Sequence, residues 1–267
     1  METTYRPTKA DSPSTEEQLK PEAKKLKQKY QELVGSFIFI MNTCRPDIAY
    51  SVSQLCRRMA NPSKEDWTAA INVLHYLHGT PTLGVGYRTS GNKTPYLFVD
   101  SDDGADESRK SCAGFMTMLA DGPLYWKSSM VEALSLSSCE SEIRAINMAL
   151  EPIKEAIKIK QWLQDVETSP QKPRNSSPYP FLVDHPLVIL EDNTACIDWG
   201  NSQLNSTRLK HLERDLKWIQ EEVYKKTIQL TFIPTRNQLA DIYTKPLPRD
   251  LFLSLRNSFM FEFLYAN

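Results

Sequence analysis

Four carboxylates stand at positions where an acid needs a reason, and together they have the makings of a metal site. "LVILEDNTAC", residues 187–196, runs apolar side chains straight into Glu191, Asp192 and Asn193, and "YLFVD" closes on Asp100 in the same way. A carboxylate half removed from water needs a cation, a donor or a proton. Asp192 alone has a simpler alternative, as the N-cap of a helix begun by Asp-Asn-Thr, so its chemistry depends on acids elsewhere. Glu142 lies in the first turn of "SSCESEIRAINMAL", a helix whose core stripe is Ile143, Ile146 and Leu150. Asp241 lies in "NQLADIYTKPL", a short helix after the strand "LTFIP". If the strands ending at Asp100 and Asp192 are parallel neighbours, their last residues meet at one edge, where sites form in open α/β sheets. Helices bearing Glu142 and Asp241 must pack back onto that edge. Four such acids repel one another unless a hard, oxygen-seeking ion such as Mg²⁺ joins them. Two ions about 4 Å apart can clamp the attacking and leaving oxygens of a phosphodiester.

The elements that must position these acids read as follows. Residues 1–29 form a polar lead, helical toward its end, with Pro21 expected to interrupt the helix. Residues 30–90 form a helical block, in which "RPDIAYSVSQLCRRMAN" and "SKEDWTAAINVLHYLHGT" place apolar residues at three-to-four spacing. His75 and His78 share a face there but have no acid or third ligand to make a metal site. From residue 91 to 267 the pattern changes. "YLFVD", "CAGFMTML" and "PLYWKS" predict an antiparallel meander. A long helix over 138–166 follows, which Pro152 should kink or split. A Pro- and Ser-rich loop leads to "LVILED", then come two helices, the strand "TIQLTFIP" and two terminal helices near Asn237 and Arg249. This order predicts an α/β fold, a mixed sheet flanked by helices.

The 267 residues, 40% hydrophobic and 24% charged, suffice for a substantial core. No apolar run reaches membrane-spanning length and the N-terminus is polar where a signal peptide would be greasy, so the expected location is intracellular, cytoplasmic or nuclear. Five single cysteines without a C-x-x-C pair predict neither a disulfide framework nor a zinc site. A net charge of −1 argues against binding of nucleic acid by bulk electrostatics and leaves room for a local basic face.

The motifs are more specific than the acids alone. "RKSCAGF", "LSSCESEIRAI", "LEDNTACI", "LKHLERDLKWIQEEV" and "FIPTRNQLADIYTKPLPRDLF" resemble, in order, the C-terminal ribonuclease H of copia-type LTR retrotransposon Pol polyproteins. "YQELVGSFIFIMNTCRPDIAYSVSQL", "NPSKEDW" and "VLHYLHGT" are similar to the segment joining that family's reverse transcriptase to its ribonuclease H. The resemblance runs from Tyr30 onward. It implies a ribonuclease H-like mixed five-stranded sheet and cleavage of the RNA strand of an RNA–DNA hybrid, with two Mg²⁺ ions, or Mn²⁺ in their place. It implies Asp100, Glu142, Asp192 and Asp241 as catalytic and metal-holding residues, and Lys127 as a contact to phosphate; Asn193, Arg208 and Lys210 are further candidate contacts to nucleic acid, the last two on a helix whose mixed charges also fit a solvated face. A reverse transcriptase domain or another Pol component is the implied partner.

Departures from the family pattern favour an alternative, a catalytically idle remnant that keeps the fold. "DSDDGAD" lacks the tryptophan expected after the first acid, and "YWKSS" keeps only Lys127 of a basic hairpin expected to touch phosphate. Glu191 replaces a small or neutral residue and by strand alternation should face away from the cluster. His211 reads as a helix-surface or packing residue, and no histidine lies between Phe232 and Asp241 to form a product-release loop. "FVDSDD" does not match a polymerase palm, so polymerase activity is not expected. An integrase-like triad fits less well, because the helix after Asp192 offers only Asp198 near its end.

Overall fold

The computed structural model describes residues 14, 20–103, 111–131, 137–168, 186–202 and 213–263. Helix α1 (Pro21–Thr43) starts at Pro21. There its missing N–H falls among donors that have no intrahelical partner anyway, so Pro21 opens the helix where an interruption was expected. Tyr30, Val34 and Phe37 are its buried face. They meet Ile48 of a short 3₁₀ turn (Pro46–Ile48), Val52 and Leu55 of α2 (Ala49–Cys56), and Ala70 and Val73 of α3 (Lys64–His78). The start of α3 is fixed by a capping box in which the Asp66 amide donates to Ser63 Oγ and the Ser63 amide to Asp66 Oδ2.

A two-residue strand β1 (Leu83–Gly84) leads to the main sheet, built from β2 (Tyr96–Asp102), β3 (Cys112–Leu119), β4 (Gly122–Met130), β5 (Leu187–Glu191) and β6 (Ile228–Phe232). Its order is β4-β3-β2-β5-β6, with β2, β3 and β4 antiparallel and β2, β5 and β6 parallel. The mixed five-stranded sheet expected of a ribonuclease H is therefore present. Strand β2 is the point at which the sheet changes direction, antiparallel to β3 on one side and parallel to β5 on the other.

Alternation sends the strand side chains to two cores. Leu97, Val99, Phe115, Leu187, Ile189, Ile228 and Leu230 pack against α4 (Ser138–Met148), α5 (Leu150–Thr168), α6 (Thr194–Asn201) and α7 (Glu213–Tyr224). The helix expected over 138–166 is indeed split: Ala149 ends α4, and Pro152 falls in the first turn of α5, where it removes no needed donor. Phe98, Met116 and Met118 face the other way, toward α8 (Asp241–Thr244) and α9 (Arg249–Asn257), with Leu239, Ile242, Tyr243, Phe252 and Leu255.

The helical block completes that second layer. Ala49 of α2 belongs to the same core, Trp126 Nε1 donates to the Met41 carbonyl at 2.9 Å, and Arg256 Nη1 donates to Tyr76 Oη at 3.1 Å. Strand β7 (Phe261–Glu262) pairs with β1. Of the apolar run at 36–41, Phe37 is buried and Phe39 stands 70% exposed.

Candidate active site

The pairing of β2 with β5 stops at Phe98 and Leu190, and the same register carried two residues on sets Asp100 beside Asp192. Beyond that point Gln238, itself fully buried, enters between the strands. Its Nε2 donates to the Val99 carbonyl at 2.9 Å and to the Leu190 carbonyl at 3.4 Å. Two carbonyls that would have lost their ladder partners are satisfied, and the strand ends separate into a crevice at the switch point of the sheet.

Asp100 (2% exposed) reaches this crevice from the face that carries α8. Its Oδ2 accepts a hydrogen bond from Thr244 Oγ1 and lies 3.7 Å from Lys245 Nζ. Asp241, the first residue of α8, takes the same ammonium at 2.7 Å. Glycine at 114 makes this possible. It pairs with Asp100 across β2 and β3, and a Cβ there would stand 2.5 Å from Tyr243 Cβ and 3.0 Å from Thr244 Cγ2. With no side chain in the way, α8 lies directly on the sheet, held further by Ser128 Oγ donating to the Tyr243 carbonyl at 2.6 Å.

Glu142 arrives over the edge from the opposite face, on the buried side of α4. Asp100, Glu142 and Asp192 each offer a carboxylate oxygen within 4.8 Å of the other two. Asp241 lies outside this triplet, on the Lys245 side of Asp100. Asp192 is not a cap: Asn193 Oδ1 accepts from the Cys196 amide and starts α6. Glu191 does not face away from the site as alternation suggested. It points to the α4 side, and because Glu142 enters from that side the two acids meet.

The electrostatics are those of acids short of cations. Burial first, then the charges of Glu191, Asp100 and Asp192, push Glu142 up to about 11. Burial, then Asp100 and Asp192, raise Glu191 to about 8 against hydrogen bonds from the Asn193 and Asp192 amides. Burial and the adjacent Asp100 bring Asp241 up to about 7 although Lys245 opposes this. Burial also raises Asp100. Lys245 is disfavoured by its own burial, but Asp100 and Asp241 outweigh that and hold it protonated. Glu142 Oε2 and Glu191 Oε2 are buried with no hydrogen-bond partner among the described residues. A set of close, hard, partly unsatisfied oxygens fits a divalent cation such as Mg²⁺.

Lys127 is exposed on the edge strand β4, one residue from Ser128, which aligns through Gly114 with Asp100. Two interstrand steps put it roughly 10 Å along the sheet from that acid. Arg208, Lys210 and His211 lie outside the described residues. His75 and His78 are exposed at the end of α3. Thr244, Lys245, Gln238 and Gly114 escaped the sequence reading. Of these Lys245 had a signal, its spacing of four from Asp241 on a helix.

No family model matches the chain. It is 31% identical over 226 residues to the retrovirus-related Pol polyprotein from transposon TNT 1-94 of Nicotiana tabacum, covering 84% of this chain and 16% of that polyprotein. It is 28% identical over 224 residues to the Pol polyprotein from transposon RE2 of Arabidopsis thaliana, covering 84% of this chain and 14% of that one. The chain belongs to the copia-type Pol family. It spans about a sixth of the length of these Pol relatives. A solved ribonuclease H1, LC11, crystallised in complex with an RNA/DNA hybrid, is similar to 56% of this chain over 93% of its own length, at 14% identity and a TM-score of 0.36. The ribonuclease H-like character of this Pol relative rests on its strand order and directions. No helix among the described residues is long and apolar enough to cross a membrane.

Proposed function

We propose that this chain is a metal-dependent endonuclease that cuts the RNA strand of RNA–DNA hybrids, as the ribonuclease H part of a retrotransposon Pol. The observation that carries this reading is the Asp100–Glu142–Asp192 triplet, within 4.8 Å, at the switch-point crevice of a ribonuclease H-like sheet. Mg²⁺, or Mn²⁺ in its place, supplies Lewis acidity and a water of lowered pKa when bound. The residues of the chain do the rest. Asp100, Glu142 and Asp192 would hold the cation, and Glu142 would also contact the RNA side. Thr244 and Gln238 keep Asp100 and the strand ends in place, and Asp241 balances Lys245.

Lys127 and Asn193 flank the crevice and contact the sugar–phosphate backbone of the hybrid, Asn193 through the amide nitrogen that its capping role leaves over. Arg208 and Lys210 extend that contact. Preference for a hybrid comes from groove shape and 2′-hydroxyl contacts, since the basic residues carry no sequence information. The ribonuclease H1 neighbour bound to a hybrid and the Pol relatives support both the substrate and a Pol partner.

One observation favours the second reading, an idle scaffold: Lys245 already neutralises part of the acid cluster. Cleavage of a hybrid labelled on its RNA strand decides between them. Wild type with Mg²⁺ cuts, and Asp100→Asn and Asp192→Asn fall by roughly a hundredfold to a thousandfold. Equal background from all three proteins overturns the nuclease.

A further inference from the structure

Among the described residues, Lys245 is the one cation within ion-pairing distance of the crevice acids, and its place in the fold is fixed from several directions. It ends α8, which Gly114 lets down onto the sheet and Ser128 anchors through Tyr243. The residue before it, Thr244, is bonded to Asp100, and the residue after it is Pro246, which restricts the backbone at Lys245 to the extended conformation it adopts, φ −144° and ψ 156°. The side chain is 27% exposed and lies between two carboxylates that are each 2% exposed. Asp100 is thus shared. It belongs to the triplet with Glu142 and Asp192, while its Oδ2 faces the ammonium. Asp241 pairs with the ammonium at 2.7 Å and also bonds to Asp100.

We propose that Lys245 is the second cation of this site: its ammonium occupies the Asp100–Asp241 side, so that Asp100, Glu142 and Asp192 bind a single divalent ion. This rests on the metal-dependent reading above and alters its ion count. A tethered monovalent cation at 2.7 Å from Asp241 leaves that carboxylate no need of a further ion, and it repels a divalent one brought to the same pair. It also offsets the charge of two adjoining buried acids, which makes Lys245 a positioning residue for Asp100 rather than a group that touches the reacting atoms.

The test is a count of Mn²⁺ bound per chain, by the loss of free-ion paramagnetic resonance signal on titrating the whole purified chain, with circular dichroism reporting the fold. Wild type binds one ion, Lys245→Arg binds one, and Lys245→Met binds two, because removing the ammonium frees the Asp100–Asp241 side. Lys245→Gln serves in place of the methionine variant if that does not fold, again with two ions expected. Two ions in wild type, none in wild type, or an unchanged count in the folded neutral variant overturns the proposal. Hybrid cleavage measured in parallel separates the two ideas. Cleavage by a wild type that binds two ions leaves the nuclease standing and removes this role for Lys245. Counts of one and two without cleavage by wild type do the reverse.

Discussion

Asp47 in the helical block and Glu142 in the crevice are almost equally buried, at 2% and 5% exposure, but their surroundings differ in kind. Asp47 Oδ1 accepts from Arg45 Nε at 2.9 Å, and its Oδ2 accepts from Arg45 Nη2 at 2.8 Å and Tyr76 Oη at 2.6 Å. Arg45 goes on to donate to the Thr80 carbonyl and hydroxyl, so the acid closes a network joining the start of α2 to the end of α3. Asp66 is likewise answered, by the Ser63 amide and by Arg58. Glu142 has a buried oxygen with no described partner and acids around it. A buried acid that comes with its own donors is architecture. One that gathers further acids awaits something the chain does not carry.

That contrast can be broken by substitution. Asp47→Ala should cost about 3–5 kcal/mol of stability, because it strands the Arg45 guanidinium in the interior, and urea unfolding would measure it. If Asp47 falls within about 0.5 kcal/mol of wild type, the network is not structural. Next in size is the response to metal. Asp241 and Glu191 have folded values of about 7 and about 8, above their ordinary 3.8 and 4.5. Protonation is therefore favoured by folding. The contribution of these two groups is complete below about pH 4 and is lost as pH rises through 7 and 8. A metal-free melting series should show stability falling over that window. Adding Mg²⁺ at a hundredfold excess over its Kd at pH 8 should return about 2.7 kcal/mol there, or roughly 5 °C or more, and the same concentration should return less at pH 5. A gain that is the same at pH 5 and pH 8 would count against a cation held beside these two acids.

Glu142→Gln sharpens the comparison from the other side. Since Glu142 is held protonated to about 11, the amide is a close substitute in metal-free protein. Stability in chelator should stay within about 1 kcal/mol of wild type, and the Mg²⁺-dependent rise in melting temperature should vanish. The smallest effect belongs to Ser63→Ala, which removes half of the α3 capping box and should cost about 1 kcal/mol without altering the metal response.

The sequence reading reached Asp100 and Asp192 because unbroken apolar runs end on them, and it reached Glu142 because a helix stripe brackets it. The parallel neighbouring of their strands was a condition of that reading, and the β2–β5 register meets it. Three things were not legible. Alternation puts Glu191 on the face opposite Asp192, but that face is not away from the cluster, and nothing in a single strand says that Glu142 comes over the edge to meet it. Lys245 reads locally as a helix-ending lysine before proline, and its partners lie 145 and 4 residues away in the chain, the first of them out of reach of any local rule. Gly114 sits in an ordinary strand, and its purpose exists only once Tyr243 lies against it. The helical block reads as a connector from its motifs, and its own core of Tyr30, Val52 and Val73 accounts for its periodicity. Contacts such as Trp126 with Met41 leave no periodic trace.

The bond from the Trp126 indole to the Met41 carbonyl, with Ala49 seated among Met116, Met118 and Ile242, makes the first helices a lid on the sheet. A cut or an expression boundary placed at residue 90 would peel that lid away. The trimmed sheet would then present methionines and phenylalanine to water and clump with its copies, so preparations meant to isolate the part that carries the acid cluster keep it soluble by retaining the helices in front of it.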